Sequence, residues 1–204
     1  MRLGIFGGTF DPVHYGHLLL AEQCREQCRL DQVWFIPAGI PPHKVSRTIA
    51  PARARAEMLE LAIAGHESFR VDRREIDRTS PCFTVDTLRE IHTEDPAREL
   101  YFLMGGDSLL DFPTWRDPRG IVELAQLAVV NRHAEIVPSV MEPFRHLLGT
   151  ELMARIHPVT IPGVDISSSD IRLRVHDRRS VRFMMPRAVE CYIEQHNLYR
   201  KVNA

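Results

Sequence analysis

Short apolar runs recur along the chain, and a stretch long enough for a helix separates each from the next. The runs are Leu3-Gly4-Ile5-Phe6, Val33-Trp34-Phe35-Ile36, Phe69-Arg70-Val71-Asp72, Leu100 to Met104, Leu127 to Val130 and His157 to Ile161. Each has strand length and is rich in β-branched or aromatic residues. Helical patterns are read between them at 16–28, about 51–64, about 84–92, after Pro118 and at 140–148, with two more at 168–175 and 186–196. Strands that alternate with helices predict an α/β fold, a doubly wound parallel sheet with helices on both faces. Ligands of such folds bind outside the carboxyl ends of the strands. Four loops are therefore expected on one rim: 7–17, 37–45, 105–116 and 163–172. No repeat, low-complexity segment or linker composition interrupts the 204 residues, which predicts a single domain.

On that rim the first strand-to-helix turn reads Gly7-Gly8-Thr9-Phe10-Asp11-Pro12-Val13-His14-Tyr15-Gly16-His17. A helix N-terminus offers N–H groups and partial positive charge to an anion. Two adjacent glycines let the backbone approach a ligand. His14 and His17, three apart, share a face once the helix has begun. Three readings compete for the histidines: zinc ligands, packing at a helix start, or donors to phosphate. No third zinc ligand stands at a sensible spacing. Gly16 between them is read as leaving room for a ligand. The dinucleotide pattern G-x-G-x-x-G and the P-loop pattern G-x-x-x-x-G-K-[ST] are both missing, so the phosphate site is of another design.

Composition bounds the rest. Net charge is −1, which points to no nucleic-acid or anionic-lipid partner. No apolar run approaches the roughly 18 residues of a membrane helix. The N-terminus enters its first strand with no charged leader or apolar export segment. Cys24, Cys28, Cys82 and Cys191 form no C-x-x-C pair. They read as core thiols of a reducing, cytoplasmic setting. The basic residues are nearly all arginine; the lysines are Lys44 and Lys201. An internal lysine at 44 marks a place where a compact ammonium is wanted.

Gly7 to His17 resembles the G-G-[ST]-F-D-P-[VI]-H-x-G-H signature of the nucleotidyltransferases related to class I aminoacyl-tRNA synthetases. Ile166-Ser167-Ser168-Ser169-Asp170-Ile171-Arg172 is similar to their second signature, I-S-S-[ST]-x-[IL]-R. With Pro41-Pro42-His43-Lys44 between, the set resembles the bacterial nicotinate-nucleotide adenylyltransferase family from Leu3 to Tyr199. The resemblance implies a Rossmann-like nucleotidyltransferase fold, with the part from about 165 to 200 closing the ATP site. It implies transfer of AMP from ATP to nicotinate mononucleotide, giving deamido-NAD and pyrophosphate in NAD synthesis. Mg²⁺ is expected to arrive with ATP, and no protein metal ligand is assigned.

Residue by residue, the resemblance makes His14 and His17 the catalytic donors. Gly7, Gly8, Thr9, Phe10, Ser167, Ser168 and Arg172 join them around ATP. On the mononucleotide side it implies Lys44 at the phosphate, Trp115 stacked on the ring, the backbone at Thr84 and Val85, Asp107 at a ribose and Arg132 on the rim. Cys82 and Phe83 stand where the family has Ser and Tyr, which removes two hydroxyls. After Arg132 the family's Pro-Gly is replaced by His133-Ala134. The rival readings are a phosphopantetheine adenylyltransferase-like enzyme, which usually carries T-x-G-H, and a non-catalytic nucleotide sensor. Oligomeric state is not readable from these residues.

Overall fold

The computed structural model describes residues 1–39, 49–78, 80–131, 149 and 151–200. Its elements follow in order: β1 (Arg2–Gly8), α1 (Tyr15–Gln27), β2 (Gln32–Pro37), α2 (Ala52–Ile63), β3 (Phe69–Val71), α3 (Thr84–Glu94) and β4 (Glu99–Gly105). Then come α4 (Gly106–Asp111), a 3₁₀ turn (Phe112–Thr114), α5 (Pro118–Leu124), β5 (Ala125–Asn131), β6 (Ile156–Thr160), α6 (Ser168–His176) and α7 (Arg187–Gln195). The expected helix at 140–148 lies outside the described residues.

The six described strands form one sheet in the order β3-β2-β1-β4-β5-β6, parallel at every junction. The doubly wound architecture expected from the alternation is therefore present. Period-two alternation feeds two cores. Leu3 and Ile5 of β1, Phe102 and Met104 of β4, and Leu127 and Val129 of β5 face α3, α4 and α5. Phe6, Leu103, Ala128 and Val130 face the opposite way, onto α1, α2, α6 and α7. Each fully buried aliphatic or aromatic side chain contributes about 1.5–3 kcal/mol.

Two boundaries depart from the sequence reading. Gly7 and Gly8 continue β1, still paired with Ile36 and Pro37 of β2. The expected loop 105–116 instead contains α4 and the 3₁₀ turn. Leu109 and Phe112, one turn apart, bury their side chains in the core beside β4, which offsets the weak helix tendency of Gly106.

The strand order reverses between β1 and β4. That switch point is where a ligand finds a crevice at the strand ends. The residues following β1 stand at its mouth.

Candidate active site

The loop from Thr9 to His14 is packed rather than open. Asp11, Val13 and His14 are buried, and Phe10 is 2% exposed. Phe10 adopts φ 49°, a left-handed backbone uncommon for a bulky residue. Its ring sits edge-on to Phe6 at 5.2 Å and to His17 at 5.1 Å between centroids. It forms an apolar floor behind the histidine.

His14 is the N-cap of α1 and His17 its third residue. Their rings stack with centroids 3.8 Å apart and planes 29° from parallel. The backbone N–H of His14 donates to His17 Nδ1 at 3.3 Å. An accepting Nδ1 carries no proton, so the neutral His17 ring holds its proton on Nε2 as a donor. Burial, and next the neighbouring His14, hold the His17 imidazole well below its ordinary value of 6.5. At neutral pH His17 is an uncharged donor.

The second motif closes on the first. Ser168 Oγ donates to the carbonyl of Pro12 at 2.9 Å. Arg172 Nη1 donates to the carbonyl of Asp11 at 2.7 Å, with the Asp11 carboxylate 3.7 Å away. Ser167 caps α6, its hydroxyl accepting the N–H of Asp170. A Cβ on Gly16 would lie 3.1 Å from the His14 ring and 3.6 Å from the carbonyl of Ile166. The missing side chain makes room for the protein's own His14 ring and second motif. The N–H of Tyr15, the first of α1, donates to the carbonyl of Met184. The C-terminal segment thereby reaches the same helix tip.

Two further ties carry no motif in the sequence. Asp11 Oδ1 accepts from the N–H of Ala50 and from the phenol of Tyr199. Arg55 of α2 is 1% exposed. It donates to the carbonyls of Thr9, Ala38, Gly39 and Ala50. Helical spacing placed Arg55 on the face of Met58 and Leu59, and that was the available signal.

On the other side of the crevice, α3 points its N-terminus at the rim. Asp86 and Thr87 return their N–H groups to Phe83, which leaves those of Thr84 and Val85 leading the helix. Thr87 Oγ1 donates to Glu75 Oε1 at 2.7 Å. Burial raises the Glu75 carboxyl above its ordinary value, opposed by the Thr87 bond and by Arg78. Cys82 Sγ lies 3.5 Å from the carbonyl of Glu75. Phe83 carries the Arg116 guanidinium 4.5 Å from its ring centroid, so both departures from Ser and Tyr have packing partners. Trp115 is half-buried against Phe102 at 5.8 Å and Phe112 at 5.5 Å. Asp107 lies in α4. Lys44 and Arg132 lie outside the described residues. The first and second motifs thus come together directly, and the α3 and Trp115 residues form a separate group.

Among the described residues no three His, Cys, Asp or Glu side chains are arranged to hold a metal. Cys24 and Cys28 are buried free thiols, as expected of core residues, whereas Cys82 is half-buried and Cys191 is exposed, so the core reading does not extend to Cys191.

The cytidylyltransferase-like family model matches residues 5–174. A Thermomicrobium roseum protein named "probable nicotinate-nucleotide adenylyltransferase" is 45% identical over all of this chain and 94% of its own. A Thermus thermophilus protein of the same name is 46% identical over 98% of this chain and all of its own. The nicotinic acid mononucleotide adenylyltransferase of Plasmodium falciparum, solved in complex with APC, shares the fold. It superposes with a TM-score of 0.77 at 19% identity, over 97% of this chain and 96% of that one. Identity at this level over essentially the whole length settles the family expected from the two motifs: the chain belongs to the nicotinate-nucleotide adenylyltransferases.

Proposed function

We propose that this chain transfers AMP from ATP to nicotinate mononucleotide, giving deamido-NAD and pyrophosphate. One observation carries the reading: the stacked histidines and the second motif are tied into one unit through Asp11 and Pro12. Such a unit is a preorganised cradle for a triphosphate.

The chemistry asks little more of the protein. The attacking group is a phosphate with a second pKa of about 6. It is already ionised at pH 7 and needs no general base. The work left is in-line positioning and stabilisation of charge at the α-phosphate and the departing pyrophosphate. His17 offers a neutral Nε2–H to that charge, with His14 beside it. The N-terminus of α6 at Ser167 and Ser168 faces the β- and γ-phosphates, and Arg172 stands one turn on. Gly7, Gly8, Thr9 and Phe10 line the backbone side. Trp115 gives the nicotinate ring a platform, and the N–H groups of Thr84 and Val85 receive its carboxylate. Asp107 serves a ribose, Lys44 serves the mononucleotide phosphate, and Arg132 joins the substrate-binding rim.

Mg²⁺ bound with ATP would neutralise charge on its phosphates. The donor set fits that mode, because Asp11, the carboxylate of the first motif, is held by Tyr199 and Ala50. A cytoplasmic setting is supported by four free cysteines. No helix among the described residues is long and apolar enough to cross a membrane.

Pyrophosphate release measured with nicotinate mononucleotide, its nicotinamide counterpart and phosphopantetheine tests the reading. The highest kcat/KM is expected for nicotinate mononucleotide. Turnover confined to phosphopantetheine overturns it, and ATP binding without turnover on any acceptor leaves a sensor.

A further inference from the structure

Helix α2 carries an arginine on the side that its pattern reserves for apolar residues. Arg55 shares the buried side of α2 with Ala56, Met58 and Leu59. It directs its donors at main-chain oxygens: Nε to Ala50 at 3.1 Å, Nη1 to Thr9 at 2.7 Å, and Nη2 to Ala38 at 2.6 Å and Gly39 at 3.1 Å. Those oxygens belong to three segments: the turn after β1, the turn after β2, and the entry to α2.

A carbonyl and the N–H of the same trans peptide point in opposite directions. Fixing the Thr9 and Ala38 oxygens on one guanidinium therefore turns the N–H groups of Phe10 and Gly39 away from it. Phe10 pays for this with a left-handed backbone at φ 49°. Such a conformation persists only where the surroundings enforce it. Arg55 grips the peptide immediately before. Only glycine fits at 39, since any Cβ there would collide with the carbonyl of Glu75. The N–H of Ala38 also donates to the carbonyl of Gly8 at 2.8 Å, so the two turns move together.

We propose that Arg55 is a positioning residue for adenylyl transfer: it locks two peptide planes so that the Phe10 N–H faces the ATP phosphates and the Gly39 N–H faces the mononucleotide. The inference rests on the reading given under Proposed function. It acts through geometry, because a guanidinium fork reaches three segments at once and a lysine ammonium does not.

The test compares R55K and R55Q with wild type and with the surface control R53K. Wild-type turnover of nicotinate mononucleotide is established first, since its absence counts against the reaction and not against Arg55. R55K is expected to fold and to lose up to about 100-fold in kcat, with smaller changes in either KM. R53K is expected to match wild type. Folded R55K and R55Q enzymes with wild-type kcat and KM overturn the proposal, whatever their Tm. Should both fail to fold, ¹⁵N-labelled wild type decides. The Phe10 amide should shift on adding α,β-methylene-ATP with Mg²⁺, and the Gly39 amide on adding nicotinate mononucleotide. Two unmoved amides overturn the proposal.

Discussion

The phenol of Tyr199 donates a 2.6 Å hydrogen bond to Oδ1 of Asp11, a carboxylate 188 residues earlier in the chain. Asp11 is 4% exposed, so the bond is made away from water. Burial first, and the Asp11 charge after it, raise the Tyr199 phenol above its ordinary value. The group stays protonated and donating throughout the neutral range. Removing it in Tyr199→Phe leaves a buried carboxylate one donor short, which should cost about 1–3 kcal/mol. Urea unfolding of the two proteins checks this, and equal midpoints would refute it. The raised phenol also has a sign. Its stabilisation is complete below the unfolded value near 10 and is lost as pH rises through the folded one.

His17 titrates the other way. Its folded value lies below the unfolded 6.5, so the unfolded chain takes up the proton first. The ligand-free protein should hold its full stability above about pH 6.5 and lose it as pH falls toward the folded value. Thermal melts between pH 8 and pH 5 read this out. His17→Gln should flatten the acid side of the curve.

Catalysis separates from binding at the same residue. His17→Ala removes one donor to the charge that develops at the α-phosphate. That should lower kcat by about 10²–10³ while ATP affinity changes far less. Single-turnover rates beside ATP titration distinguish the two effects. A variant with unchanged kcat would remove His17 from the transition state.

Gly16→Ala sets two effects against each other. Alanine in a helix is favoured over glycine by roughly 1 kcal/mol. Its Cβ, however, would stand 3.1 Å from the His14 ring. The expected outcome is a Tm close to wild type with turnover reduced at least about tenfold, because the ring is displaced. A variant that keeps full turnover would show that the His14 position is not critical.

Trp115→Ala tests the mononucleotide side alone. A base stacked on an aromatic side chain gains about 1–3 kcal/mol, so KM for nicotinate mononucleotide should rise about 5- to 150-fold. KM for ATP should stay near wild type. A rise in both KM values together with a fall in Tm would assign Trp115 to the packing against Phe102 and Phe112.

What could be read in the sequence was what depends on neighbours close in the chain. Leu3 and Ile5 alternate with Gly4 and Phe6, and that alone separates the two cores. Ser167 announces the start of α6, where its side chain caps the helix. Helical spacing put Arg55 on an apolar face but did not show its partners, since the carbonyls that define it lie up to 46 residues away. Tyr199 and Asp11 were opaque for the same reason. Helix α4 was hidden by Gly105 and Gly106, which read as a stop until Leu109 and Phe112 are seen to be buried. Ser168 was legible as a motif residue, but its bond to Pro12 was not.

The strand order also sets a timetable for synthesis. Strand β1 pairs with β2 through residues some thirty positions later, but its other edge waits for Glu99 to Phe102. While the ribosome adds those residues, the future centre of the sheet has one bare edge. The tie from Tyr199 to Asp11 cannot form until residue 199 has emerged. A nascent chain halted after β6 would have the six described strands and an unfinished active site.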